Sequence, residues 1–246
     1  MKKNNNTKII FYFIVYFLLF FVLIYSGIKI YEWYRDKNKN NEIAKKIKET
    51  VIVESNGKNK EEYLIDFDKL KEQNNEAIAW IKVNNTNIEY PVVKTKNNEF
   101  YLNHSFDKSK NLGGWIFADY KNKFNGTDKN IVIYGHNMKD NSMFGTMQNI
   151  LNPEWYNNEE NTNIILKTEG KNYIYKVFSI YRIENEDYYI KTEFNNDSEF
   201  EQFLNTLKAR SIRNFNMDML ESDSILTLST CDNNNKYRVV LHAKKI

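Results

Sequence analysis

Between residues 77 and 243 the sequence breaks into eight short runs rich in β-branched and aromatic residues, at 77–83, 88–93, 114–120, 130–134, 163–168, 173–183, 224–231 and 237–243. Runs of this length, separated by turns and polar loops, predict a closed barrel or sandwich; they do not alternate with helices as βαβ units require. Glu169-Gly170 supplies turn chemistry between two of them. One helix interrupts the series late. Phe200, Phe203, Leu204 and Leu207 recur at i, i+3, i+4 and i+7, and Ser198-x-x-Glu201 reads as the capping box that starts it. A shorter helix is expected over 142–151, and Asp66 is placed to cap another that carries Phe67 and Leu70 and ends near Asn74.

The 246 residues suffice for one domain with accessory segments, and 41% hydrophobic with 15% aromatic residues is enough for a packed core. A formal charge of +3 gives no ground for nucleic-acid binding. The N-terminus is organised differently. Residues 9–28 contain no charge and consist mostly of Ile, Phe, Leu, Val and Tyr. As a helix rising ~1.5 Å per residue they span ~30 Å, the thickness of a bilayer's hydrocarbon core. Lys2, Lys3 and Lys8 precede the run, so the positive-inside rule puts the N-terminus in the cytoplasm and everything after the span outside the cell. Tyr25, Tyr31, Trp33 and Tyr34 suit the outer interface. A cleaved signal peptide would need a shorter apolar region and an A-x-A site, and the sequence has none. The expected division is a cytoplasmic tip and transmembrane signal anchor at 1–28, a stalk or N-terminal helical region at 29–62 with apolar spacing at Ile43, Ala44, Ile47 and Val51, and the main domain at 63–246.

Metal-ligand spacing, a Gly-rich phosphate loop and a G-x-S-x-G elbow are all missing from the sequence, so neither metal nor cofactor is expected. What the chain does carry is one cysteine, which rules out an intramolecular disulfide. An idle thiol outside the cell is an oxidation liability; the competing reading is a buried, inert Cys. Cys231 ends the run Thr227-Leu228-Ser229-Thr230-Cys231 and is followed by the polar Asp232-Asn233-Asn234-Asn235-Lys236. Alternation puts Thr227, Ser229 and Cys231 on one face. If a four-residue loop, 233–236, joins an antiparallel hairpin, Cys231 faces Arg238 across the ladder on the same side. A guanidinium there favours thiolate and can hold an oxyanion or a substrate carbonyl. A thiol nucleophile also needs a histidine. His136 follows the apolar strand Ile131-Val132-Ile133-Tyr134 through Gly135. His104 reads as a surface or hydrogen-bonding residue, and His242 lies four residues beyond Arg238, ~13 Å away at strand rise.

Thr227-Leu228-Ser229-Thr230-Cys231 followed by an arginine strand resembles the TLxTC signature of sortases, and Tyr134-Gly135-His136-Asn137-Met138 resembles their histidine motif. The resemblance covers about residues 63–246. Ser229, the Asn98–Asn103 stretch (NEFYLN) and the helix inserted between the sixth and seventh strands are similar to class B members. The interval of seven from Cys231 to Arg238 is short for the family, and no Asp-Pro-aromatic lid of class C is present in the sequence. The resemblance implies a mainly β fold, an eight-stranded sortase-type barrel with an N-terminal helix. It also implies a two-step acyl transfer with Cys231 as nucleophile, His136 as acid and base, and Arg238 stabilising the oxyanion or positioning the signal. Ser229, Asn98, Leu102, Tyr134, Tyr189 and Ile190 would line the signal-binding groove. The implied partners are surface proteins with a C-terminal sorting signal, of NPQTN or LPxTG type, and a peptidoglycan amine. Two other readings stay open from the residues themselves: a thiol peptidase that uses water as acceptor, and a cell-surface binding module whose Cys231 is inert.

Overall fold

The computed structural model describes residues 5–54, 63–184, 186–231 and 236–246. Strands form where β-branched and aromatic residues can bury one face. β3 (Ala77–Val83), β4 (Glu89–Val93), β5 (Phe117–Ala118), β6 (Asn130–His136), β7 (Asn163–Thr168), β8 (Lys171–Glu184), β9 (Ile225–Cys231) and β10 (Tyr237–Lys245) close an eight-stranded barrel in the order β10-β8-β7-β3-β4-β5-β6-β9. The eight expected runs are these eight strands. Closure leaves the barrel without a free edge. Trp80, Ile81, Trp115, Ile116, Ile133, Leu166, Leu228 and Leu241 are among the buried residues of the main core, which covers both faces of the barrel wall. β7 and β8 turn on Glu169 and Gly170, with Thr168 paired to Lys171 and Gly170 at φ +72°. Most pairings are antiparallel, but β6 runs parallel to β9 and β4 parallel to β5.

Local differences from the sequence reading have local causes. β5 is shorter than the expected 114–120: the N–H of Gly114, at φ +54°, turns to Asn111 O, and the Asp119 carbonyl accepts from Asn122 N–H in the following loop. The 142–151 helix is a 3-10 turn over Gly145–Leu151, entered through positive φ at Asn141 and Met143 and followed by the single turn α3 (Pro153–Tyr156). α2 (Phe67–Gln73) is capped by Asp66, whose carboxylate accepts from Lys69 N at 3.0 Å. α4 (Asp197–Arg210), the helix between the sixth and seventh barrel strands, is capped two residues before the expected box. Its cap is Asn196, accepting from Glu199 N at 2.9 Å, while the Glu199 carboxylate accepts from Asn195 N at 2.6 Å. Phe200, Phe203, Leu204 and Leu207 then pack with Phe178, Tyr181 and Tyr189 in a second core outside the barrel.

The N-terminal segment is one helix, α1 (Asn5–Val51), and among the described residues it alone is long and apolar enough to cross a membrane. Its second part does not stand free as a stalk. Asp36, Asn40, Ile47 and Val51 are buried, Ile47 and Val51 within the main core. Lys48 pairs with Glu89 at 3.0 Å and Lys39 with Asp107 at 3.2 Å. β1 (Ile52–Glu54) and β2 (Tyr63–Ile65) form a small hairpin beside it. The rest of the expected stalk, 55–62, lies outside the described residues.

Candidate active site

The parallel register of β6 on β9 pairs His136 with Cys231, and the antiparallel register of β9 on β10 pairs Cys231 with Arg238. Three residues more than a hundred positions apart at the extremes therefore stand level on adjacent strands, each about 5 Å from the next at the backbone. The Cys231–Arg238 pairing is the register expected from a four-residue loop; residues 232–235 of that loop, and the Cys231 side chain, lie outside the described residues. Strand ends make this row accessible, because the ladder stops at His136 on one strand and begins at Tyr237 on another.

A cleft of about 300 Å³ opens here, lined by His136 and Arg238 together with Asn98, Leu102, Tyr134, Tyr189, Ile190 and Ser229. All of the side chains expected in the catalytic site and signal-binding groove, Cys231 apart, thus line one cavity. Phe117, Gly135, Glu186 and Asp187 complete its wall. A groove continues from it past Asn98, Asp187 and Ile190 to Gln202 and Thr206 of α4.

His136 Nε2 lies 2.7 Å from Leu102 O. A carbonyl can only accept, so the ring proton of the neutral form sits on Nε2 and Nδ1 is unprotonated. Asn98 and Tyr134 are organised by a residue that sequence reading missed. Asp119 is buried, and its Oδ2 accepts from Tyr134 Oη and from Asn98 Nδ2, each at 2.8 Å, while Oδ1 accepts from Lys121 N at 2.9 Å. Burial first, and the Asp119 charge second, push the Tyr134 phenol far above its ordinary value, so it stays a neutral donor. On the neighbouring strand Ser229 stands level with Tyr134, and its Oγ lies 2.9 Å from Tyr189 Oη, which continues the wall. Asn130, also unnoticed in the sequence, holds that wall by donating to Tyr189 O at 3.3 Å and Lys191 O at 2.9 Å. An Asp just after an apolar run and an Asn opening one look like ordinary turn signals, which is why neither stood out.

The other two histidines are occupied elsewhere. His104 stacks on Phe100 at 4.0 Å and donates to its carbonyl through Nδ1 at 2.7 Å. His242 is fully buried opposite Thr227, where desolvation pushes its pKa down to about 3. Its Nδ1 meets Thr227 Oγ1 at 2.9 Å and its Nε2 meets Tyr181 Oη at 2.8 Å.

The geometry has counterparts among known proteins. A family model described as the sortase domain matches residues 81–246. Sortase B of Listeria monocytogenes is 34% identical over 233 residues, spanning 92% of each chain. The crystal structure of sortase B from Bacillus anthracis in complex with AAEK2 superimposes with a TM-score of 0.76 at 30% identity, over 85% of this chain and 96% of that one. A Staphylococcus aureus sortase B–substrate complex does so with 0.69 at 34%, over 73% and 84%. The chain belongs to the sortase family and is a cysteine transpeptidase of the sortase B type.

Proposed function

We propose that this enzyme cleaves the C-terminal sorting signal of surface proteins after its Thr and transfers the acyl group to a peptidoglycan amine. The observation that carries the reading is the level row His136, Cys231, Arg238 on three neighbouring strands. The Cys231 thiol passes its proton to His136, and the thiolate attacks the carbonyl carbon after Thr; the negative charge gathers on the carbonyl oxygen, where the Arg238 guanidinium stabilises it. The C–N bond breaks as the leaving amine takes a proton from His136, leaving a thioester on Cys231. The acceptor amine then loses a proton to His136, attacks the thioester and expels the thiolate. With Nε2–H held by the Leu102 carbonyl, Nδ1 is the ring atom that exchanges the proton.

Ser229, Asn98, Leu102, Tyr134, Tyr189 and Ile190 would hold the signal, consistent with their common cavity and with the substrate complex formed by the Staphylococcus aureus relative. Residues 63–246 would be the catalytic domain. Residues 9–28 would cross the membrane with the N-terminus in the cytoplasm, as the three preceding lysines favour.

Mass spectrometry after mixing with sorting peptides of NPQTN and LPxTG type should show the acyl fragment on Cys231, and an added amine should divert product from hydrolysis to transfer. Cys231→Ala should abolish both cleavage and transfer, and His136→Ala should be comparably inactive. Arg238→Lys keeps the charge but loses the planar fork, so turnover should fall on the order of 100-fold with the fold intact. His104→Ala should keep activity. An active Cys231→Ala enzyme would sink the proposal; product formed only by hydrolysis whatever amine is supplied would favour the peptidase reading.

A further inference from the structure

The face of α1 turned toward the barrel carries two buried polar residues, Asp36 and Asn40, a turn apart. Asn40 Nδ2 donates to Gly114 O at 3.0 Å, and its Oδ1 accepts from Ser105 Oγ at 2.5 Å and from Asn111 Nδ2 at 3.1 Å. Asp36 accepts from Leu112 N at 3.2 Å through its carboxylate and from Asn111 Nδ2 at 2.8 Å through its backbone carbonyl. Every one of these partners belongs to the loop after Leu102, whose carbonyl accepts the His136 Nε2 proton.

That loop is closed on itself, with Asn111 N–H donating to Asn103 O and Trp115 N–H to Tyr101 O, both at 2.9 Å. Gly114 stands between the helix and the imidazole. A Cβ there would lie 2.8 Å from Leu102 O and 2.9 Å from His136 Cδ2, closer than atoms pack, so only glycine lets the loop pass this near the ring. On the segment leaving His136, Asp140 lies 3.8 Å from Lys37. The same helix thus touches the chain on both sides of the catalytic histidine. Docking α1 does not by itself require these buried amides, since Ile47 and Val51 already supply an apolar contact further along the helix.

We infer that Asn40, supported by Asp36, is a positioning residue for His136: the anchor helix fixes the 102–114 loop so that the Leu102 carbonyl locks the ring with its proton on Nε2. The inference rests on the proposal that His136 moves the protons of the reaction. Freed of Asn40, the loop would let the carbonyl drift and the ring would sample the other tautomer or rotate.

The test uses the full-length chain in detergent micelles and a fluorogenic peptide panel of NPQTN and LPxTG type. In Asn40→Ala, kcat should fall about tenfold while KM changes much less, because the proton-moving group is displaced whereas Leu102 alone of the signal-holding residues sits on the freed loop. The ¹⁵N shifts of the His136 ring should move from the fixed Nε2–H form toward a tautomer mixture. Lys48→Ala, on the same helix but paired with Glu89, should change neither. If Asn40→Ala does not fold, Asn40→Asp keeps the acceptor for Ser105 while removing the donor to Gly114, and should shift both readouts in the same direction. An unchanged ring spectrum in the folded variant would overturn the inference whatever the turnover. An altered ring with unaltered turnover would leave the positioning standing and sink instead the assigned role of His136.

Discussion

His242 sits in a one-directional chain of hydrogen bonds. Tyr188 Oη donates to Tyr181 Oη at 3.1 Å, Tyr181 Oη donates to His242 Nε2, His242 Nδ1–H donates to Thr227 Oγ1, and Thr227 donates to Asn130 Oδ1 at 2.7 Å. This chain offers no acceptor for a second ring proton, and burial already holds the folded-state pKa near 3 against an ordinary 6.5. The charged form is therefore excluded from the fold while the unfolded chain protonates freely below pH 6.5. Stability from this residue is fully present above that pH and is lost as pH falls toward 3. From pH 7.5 to 5.5 the wild type should lose about 1.4 kcal/mol more than His242→Gln, read from urea unfolding at the two pH values. Sequence spacing sufficed to set His242 aside as a partner for Cys231. That it anchors a polar network reaching Asn130, and through it the Tyr189 wall, was not legible, because the network joins residues from well-separated segments of the chain.

At the scale of elements, the strands were readable because each buries one face, and β-branched and aromatic residues at alternate positions announce that. Helix ends were harder to place. Around α4 two overlapping patterns, Asn196-x-x-Glu199 and Ser198-x-x-Glu201, both satisfy the capping chemistry. The fold uses the earlier one, which keeps two more residues helical and lets Glu199 pair with Lys191 as well as with the backbone. Asn196→Ala should accordingly lower stability by about 1 kcal/mol, whereas Ser198→Ala should stay within about 0.5 kcal/mol, measured by chemical denaturation. The row of His136, Cys231 and Arg238 was legible only in part. Hairpin parity predicted Cys231 opposite Arg238, but the parallel pairing that brings His136 alongside joins strands almost a hundred residues apart, and no local pattern encodes it.

For the whole molecule, the apolar span was plain in the sequence, but the docking of residues 36–51 onto the barrel was not. Asp36 and Asn40 look like ordinary surface residues in a charged, Asn-rich segment. The docked helix divides truncations into two kinds. A fragment starting at residue 30 keeps the buried contacts of α1 with the barrel and should be soluble and active, while the full-length chain should fractionate with membranes. A fragment starting at residue 52 loses Ile47 and Val51 from the core, each contributing roughly 1.5–3 kcal/mol, and loses the Asn40 cluster as well. Its unfolding midpoint should drop measurably in thermal melts and its turnover should fall.

After Gly27, α1 contains neither glycine nor proline, so the helix that begins in the apolar run reaches the barrel without a hinge. From the end of that run to Asn40 is twelve residues, about 18 Å of rigid rod. With residues 9–28 in a bilayer, the cleft patrols at one height, and its search for partners becomes lateral. Substrates that are themselves membrane-held meet it in a thin layer where effective concentrations reach roughly the millimolar range. Weak peptide binding is then sufficient in place, and free peptides in bulk solution should be poor substrates by their KM.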